Sequence, residues 1–478
     1  MPIDLNAPLT WKSATGDAAV MLKQLQPNIV KAHVRDHLQL LFVQFADSTP
    51  AAKAEARAFL KALTGKMKSA KTHLDEAEAF STSGAPGTPY VGVGLTFQGY
   101  KKIGIAVAKI PGNASPGPFK DSMRSDVSVA ALSDPPVANW EQTFRHTIHA
   151  VVLIGDASEA AVVKIRAEID ALMTAHIKLL GVEKGSSQKN GHGDGIEHFG
   201  YIDGRSQPIF LTEDIADERH KMDGTTVWNP AFGLGRVLVA DSAAPDPTKQ
   251  FGSFFVCRKL EQNVRAFRKA ENDFATALGL AGEDRKRAGA MIVGRFRDGT
   301  PLTTQRSDGA HSPIMNDFDY DSDDVAGKCP FYGHVRKTNP RGSGGFEPQS
   351  NERLHLMARR GQTYGNRTDN PTDESLPLSS RPTTGIGLLF MAFNSQIETQ
   401  FQFTQATWAN NPGFPSVPPG HPAPGLDQVI GQGTRPTAVA PLTWGGKDSK
   451  PLSAAPQAVT MKGGEYFFMP SLAFLKSL

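Results

Sequence analysis

Cysteine is nearly absent from this 478-residue chain: only Cys257 and Cys329 occur. Two isolated cysteines exclude a disulfide framework, and no Cys-x-x-Cys pair offers a zinc site or a covalent cofactor attachment. An excess of either charge is lacking too. The 51 Lys and Arg against 48 Asp and Glu leave a net charge of +3, which suggests neither a nucleic-acid footprint nor a solvating acidic chain. No apolar run approaches the roughly 18 residues of a membrane span. The start, Met1-Pro2-Ile3-Asp4-Leu5-Asn6, has no basic segment followed by an apolar one, so a cytoplasmic location is expected. No GK[ST] phosphate loop occurs, and Gly191-His192-Gly193-Asp194-Gly195 lacks the third glycine of a dinucleotide loop. Small-molecule or redox partners fit this composition better than nucleic acid or membrane.

Glycine (46) and proline (34) are plentiful and imply long loops between conventional elements. Apolar and β-favouring runs predict strands over 38–45, 91–97 and 147–154, and helical spacing predicts helices within 18–36, over 51–63 and over 159–180. This order suits a split βαβ, ferredoxin-like sandwich. A second set follows, with strands over 236–240, 252–258 and 386–396, a helix over 262–279 and a short element over 288–296. The chain therefore divides into halves at 1–230 and 231–478. The segment 111–136 is too polar for core and is expected to wrap a surface or cover a pocket.

Three stretches carry candidate chemistry. In Lys328-Cys329-Pro330-Phe331-Tyr332-Gly333-His334-Val335-Arg336 a single histidine sits in a Gly- and Pro-flanked segment. A neutral imidazole there suits a haem iron whose other face stays open, although such a histidine alone is usually structural. In Phe199-Gly200-Tyr201-Ile202-Asp203-Gly204 the glycines permit a sharp turn that aims one carboxylate, as ordinary Asp-Gly turns also do. In Leu354-His355-Leu356-Met357-Ala358-Arg359-Arg360-Gly361 an apolar run ends in two guanidiniums, of which at least one is expected at the inner edge of a cavity. Together these supply an iron ligand, an acid-base group and a fixed cation, a set sufficient for cleaving peroxide on haem.

The blocks Gly200-Tyr201-Ile202-Asp203-Gly204 with Ser206-Gln207-Pro208, and Cys329-Pro330-Phe331 through Arg341, resemble the signatures of dye-decolorizing peroxidases, especially the long fungal and bacterial subgroup. Gly387-Leu388-Leu389-Phe390, Gln400 to Phe403, Trp408-Ala409-Asn410-Asn411 and the opening 25–42 extend the resemblance along nearly the whole chain. Tyr201 stands where phenylalanine is frequent. The resemblance implies an α+β fold of two ferredoxin-like halves with antiparallel sheets flanked by helices, and one haem b per chain, mainly in the C-terminal half. It implies a peroxidase that reduces hydrogen peroxide and oxidises organic donors such as dyes and phenolic or lignin-like compounds, as a monomer or homodimer. His334 would be the proximal ligand and Asp203 the distal acid-base residue. Arg359, preferred over Arg360, would be the distal cation, and Leu388 and Phe390 would wall the pocket. Glu398 is the candidate carboxylate on the far nitrogen of His334, and Arg336 the candidate partner of a haem propionate. Because the base is a carboxylate, an acidic activity optimum is expected.

Other readings stay open at this stage. The chain could be a non-catalytic haem carrier or sensor, or Cys329 could ligate the iron through a thiolate. The cluster Asp317, Asp319, Asp321, Asp323 and Asp324 suggests a cation-dependent hydrolase, but it fails the calcium-loop pattern and is expected to be a solvated loop. Tyr320, Tyr332 and Trp408 are candidates for surface electron relay to bulky donors.

Overall fold

The computed structural model describes residues 2–46, 49–112, 117–310, 312–435 and 437–478. Four strands of the first half, β1 (His37–Phe45), β2 (Tyr90–Leu95), β3 (Ala150–Asp156) and β4 (Ile177–Ser186), form an antiparallel sheet in the order β4-β1-β3-β2. The second half repeats the plan. Its strands β5 (Phe251–Gln262), β6 (Gln362–Tyr364), β7 (Gly387–Asn394) and β8 (Val459–Met469) lie in the order β8-β5-β7-β6. Numbered within its half, each sheet reads 4-1-3-2, the ferredoxin-like order. The two sheets meet edge to edge, Phe468 pairing with Leu95 at one seam and Tyr364 with Gly185 at the other. Among the described residues the sheet thereby closes into an eight-stranded antiparallel barrel, which leaves these strands no free edge.

Helices flank the barrel. After β1 comes α1 (Pro50–Leu63), with Thr49 capping the Ala52 N–H and Ala56, Phe59, Leu60 and Leu63 on its buried face. The helix α2 (Glu159–Asp170) follows β3, and α3 (Val264–Ala277) and α4 (Lys286–Val293) follow β5. The expected helix over 159–180 is too long: it stops at Asp170, and the chain returns as β4. That strand is only partly buried and carries Lys178, Glu183 and Lys184, so no apolar run announces it. The long strand β8 also escapes detection, because Gly463 and Gly464 interrupt its pattern. Gly463 lies at a register shift opposite Lys259, with φ of +147°, and the Phe144 ring occupies the place of its side chain. In the 111–136 segment, of which residues 113–116 lie outside the described residues, Ser122 and Met123 hydrogen-bond to Glu465 and Asp134 pairs with Arg258 in a buried ion pair. It covers part of β5 and β8.

A histidine pair packs under the first half, His73 buried and His33 half-buried. The His33 and His73 rings lie 5.0 Å apart, with Tyr90 stacked on His33 at 5.4 Å. Burial, and then each other's charge and that of Lys68, lower His33 to about 2, and burial and Lys68 lower His73 to about 4. The folded protein keeps both rings neutral, whereas the unfolded chain protonates them below about pH 6.5. Stability is therefore unaffected above that pH and declines as pH falls from about 6.5 toward 4 and below, by roughly 2–3 kcal/mol from His73 alone at pH 4. In melting curves across this range, His73→Phe should flatten the decline, and an unchanged slope would contradict the assignment.

Candidate active site

Period-two alternation places Arg258, Leu260 and Gln262 on one face of β5 and Leu388 and Phe390 on the matching face of β7. The register sets Leu388 beside Leu260 and Phe390 beside Arg258. All five line one cavity, whose other walls include His334, Val335 and Thr338 of α5 (His334–Thr338), Val429 and Ile430, and the Asp203 and Arg359 segments. The three stretches singled out in the sequence thus converge on one site.

His334 opens α5, and its ring is 30% exposed, toward the cavity it lines. Its Nδ1–H donates to Asp427 Oδ2 at 2.8 Å, which leaves Nε2 as the nitrogen able to bind a metal. Asp427 is fully buried, and its Oδ1 accepts the Val429 and Ile430 N–H groups. Burial raises its carboxyl, but the His334 ring and those N–H groups outweigh burial and hold it below the usual value. Lys337 ties the same region together by donating to the Asn411 and Gly425 carbonyls.

Asp203 is held by a tight loop. Its N–H donates to the Gly195 carbonyl and its Oδ1 accepts the Gly204 N–H at 2.6 Å, so among the described residues Oδ2 is the free oxygen. Gly200 (φ +92°) is required there, since a side chain would meet the Pro371 carbonyl. Glu197, which also lines the cavity, clamps the loop by accepting the Phe199 and Tyr201 N–H groups and the Gln262 amide. Burial pushes its carboxyl up to about 7 against those hydrogen bonds. Arg359 is joined to the same loop: its N–H donates to Gln207 Oε1 and its Nη2 to the Arg205 carbonyl. Arg360, the next residue, is buried and donates to the Asn28 and Ile29 carbonyls instead.

Several expectations are corrected. Glu398 is exposed and is not a wall of the cavity; Asp427 holds the position proposed for it. Arg336 is fully buried away from the cavity, paired with Asp323 at 3.0 Å and packed over the Tyr320 and Phe331 rings. On a helix, positions two apart face nearly opposite ways, which sends Arg336 away from the His334 side. Asp323 is therefore no solvated residue, and Asp317 caps the Thr226, Val227 and Trp228 N–H groups. Among the described residues no group of three or more His, Cys, Asp or Glu is placed to hold a metal ion. Cys329 is fully buried, its thiol pushed up to about 12 by burial, and it does not line the cavity. Tyr320, Tyr332 and Trp408 are each about 1% exposed, so none is a surface residue.

Arg295 was not anticipated. It lines the cavity, is buried, and among the described residues donates to the Gly299 and Met315 carbonyls and to Ser206 Oγ. Among the described residues neither Arg295 nor Arg359 has a carboxylate partner, whereas Arg205 and Arg258 pair with Glu218 and Asp134. A cavity with apolar walls, a free imidazole nitrogen on one side and two unpaired guanidiniums suits a flat apolar group that carries carboxylates, as haem does.

Residues 24–188 match the family model described as the DyP dimeric alpha+beta barrel domain. The chain is 56% identical, over 100% of both sequences, to the multifunctional dye peroxidase DyP2 of Amycolatopsis sp. (strain ATCC 39116 / 75iv2), whose solved structure it matches with a TM-score of 0.94. The DyP-type peroxidase of Anabaena sp. is 36% identical, with a TM-score of 0.90 over 99% of this chain and 98% of that one. A dye-decolorizing peroxidase of Auricularia auricula-judae is 30% identical over 84% of this chain and 80% of its own length.

Proposed function

The chain belongs to the dye-decolorizing peroxidase family, and from that premise we propose that it is a haem peroxidase whose reaction runs between His334 and the Asp203–Arg359 pair. The reaction reduces hydrogen peroxide and oxidises organic donors, with dyes and phenolic or lignin-like compounds as the donor class, in keeping with the names of its relatives. The observation that carries this reading is that His334, Asp203 and Arg359 line a single cavity.

We assign one haem b per chain to this cavity, on the C-terminal half, since most of its lining residues, those of β5, β7 and α5 among them, lie beyond residue 230. A bound haem supplies the redox chemistry of oxygen-oxygen cleavage. His334 Nε2 would hold the iron of a bound haem, and the buried Asp427 charge fixes the ring and raises its basicity. Asp203 Oδ2 takes a proton from hydrogen peroxide and returns it to the departing oxygen, acting first as base and then as acid. Arg359 stabilises the negative charge that develops during departure. Leu388 and Phe390 keep bulk water out, which strengthens both effects. Arg295, rather than Arg336, is left as a cation open to a haem carboxylate. The boundary between the halves falls near residue 230, within the stretch between Ser186 and Phe251 that separates the two sheets.

A carrier would need the iron ligand but not the Asp203–Arg359 pair. Peroxide-driven oxidation of a phenol by the haem-loaded protein tests the choice: turnover that collapses in an Asp203→Ala, Arg359→Ala double variant supports the peroxidase reading, and full turnover in that variant contradicts the mechanism.

A further inference from the structure

Two cations that have no carboxylate of their own flank the carboxylate behind His334. Lys337 stands three residues after His334, on the same side of α5, and is fully buried. Its Nζ donates to the Asn411 carbonyl at 2.8 Å and to the Gly425 carbonyl at 2.5 Å. It thereby bridges the two arms of chain that carry Asp427, which are also joined by the Gly425 N–H on the Pro412 carbonyl and the Asp427 N–H on the Ala409 carbonyl. Arg435, half-buried, closes the other side of the loop by donating to the Gln428, Gly431 and Ala455 carbonyls. Among the described residues neither cation forms an ion pair; every acceptor they reach is a carbonyl.

Carbonyls satisfy the N–H groups but leave the charges unbalanced, and a buried charge is costly unless an opposite one stands near. Burial lowers Lys337 to about 7, with the Asp427 charge opposing it, and the same carboxylate opposes the effect of burial on Arg435. Asp427, itself fully buried, thus faces the His334 Nδ1–H on one oxygen and lies in the field of both cations. A carboxylate left to the imidazole alone would draw the Nδ1 proton strongly and give the ring imidazolate character. Two neighbouring positive charges weaken that pull.

We propose that Lys337 and Arg435 are the counter-charges of Asp427, positioning residues that keep the Nδ1 proton on His334 and hold the midpoint potential of a haem iron on that ligand above the value the Asp427–His334 pair alone would set. The proposal rests on the reading of His334 as the iron ligand. It separates from a purely structural role by sign. If the two cations only held the loop in shape, their loss would let Asp427 withdraw from Nδ1, and the potential would rise, as expected for loss of the carboxylate charge. If they balance its charge, their loss leaves Asp427 a stronger acceptor, and the potential falls.

Lys337→Met keeps most of the stem and removes the charge. In the haem-loaded protein at about pH 6, the equilibrium constant for one-electron reduction of the iron should fall by about tenfold, equivalent to 59 mV. The iron–histidine stretching band in the resonance Raman spectrum of the reduced protein should move to higher frequency. Arg435→Gln, which retains an N–H donor for the loop carbonyls, should shift both quantities in the same directions, and it carries the test if Lys337→Met does not fold. A potential that rises or stays unchanged, or a band that moves to lower frequency, overturns the counter-charge role of the residue replaced and leaves His334 as the ligand. A haem spectrum identical in His334→Ala and the parent protein overturns both the proposal and the reading beneath it.

Discussion

Asp203→Asn should slow peroxide consumption by the haem-loaded protein by about 10²–10⁴-fold, the span associated with losing a positioned general acid-base group. The substitution is nearly isosteric. The asparagine oxygen can still accept the Gly204 N–H, and Glu197 still clamps the Phe199 and Tyr201 amides, so the loop keeps its shape while the proton acceptor at Oδ2 disappears. Arg359→Leu should cost about 10²–10³-fold, because a fixed charge stabilises only the developing anion. The two losses should not add fully, since Gln207 and the Arg205 carbonyl connect Arg359 to the loop that bears Asp203. Stopped-flow measurement of the first reaction with peroxide reads both effects, and a rate in Asp203→Asn equal to that of the parent would remove Asp203 from the mechanism.

The second large effect is expected at Asp427. Asp427→Asn keeps the oxygen that accepts the Val429 and Ile430 N–H groups but removes the buried negative charge at His334 Nδ1. Loss of a carboxylate behind a ligating histidine typically costs about 10–100-fold in metal affinity or activity. The haem should therefore be held more weakly, and the midpoint potential of its iron should rise because the ligand becomes a poorer electron donor. Glu398→Gln, on the exposed residue first suspected of this role, should change neither quantity. An unaltered potential in Asp427→Asn would contradict the assignment.

These two sites differ in how far local sequence reveals them. Asp203, His334 and Arg359 each stand in a short block whose glycines, proline step or apolar run is itself unusual, and the fold only has to bring the blocks together. Asp427 lies 93 residues beyond His334, in the loop-rich 410–453 region, where no periodicity indicates burial or direction. Glu398 looked plausible because it is near the apolar strand β7, yet it begins a helical stretch with wide turns, in which the Gln402 N–H bonds back to Ile397 and the Asn410 N–H to Gln405, and it faces outward. Arg336 was misread for a different reason, since sequence proximity to a ligand says little on a helix where two positions reverse the face. The strands divide in the same way. Dense apolar runs mark β1, β3 and β7, whereas β4 is half-exposed, β6 has only three residues and β8 contains two glycines.

The central claim, that one cavity binds haem on His334 and cleaves peroxide against Asp203 and Arg359, is tested most directly by the absorption spectrum of the haem-reconstituted protein before and after one equivalent of hydrogen peroxide. The account predicts a strong near-ultraviolet haem band that shifts promptly on addition of peroxide and is lost, or much altered, before any addition in His334→Ala. A haem band that peroxide leaves unchanged, or one identical in His334→Ala, would contradict it.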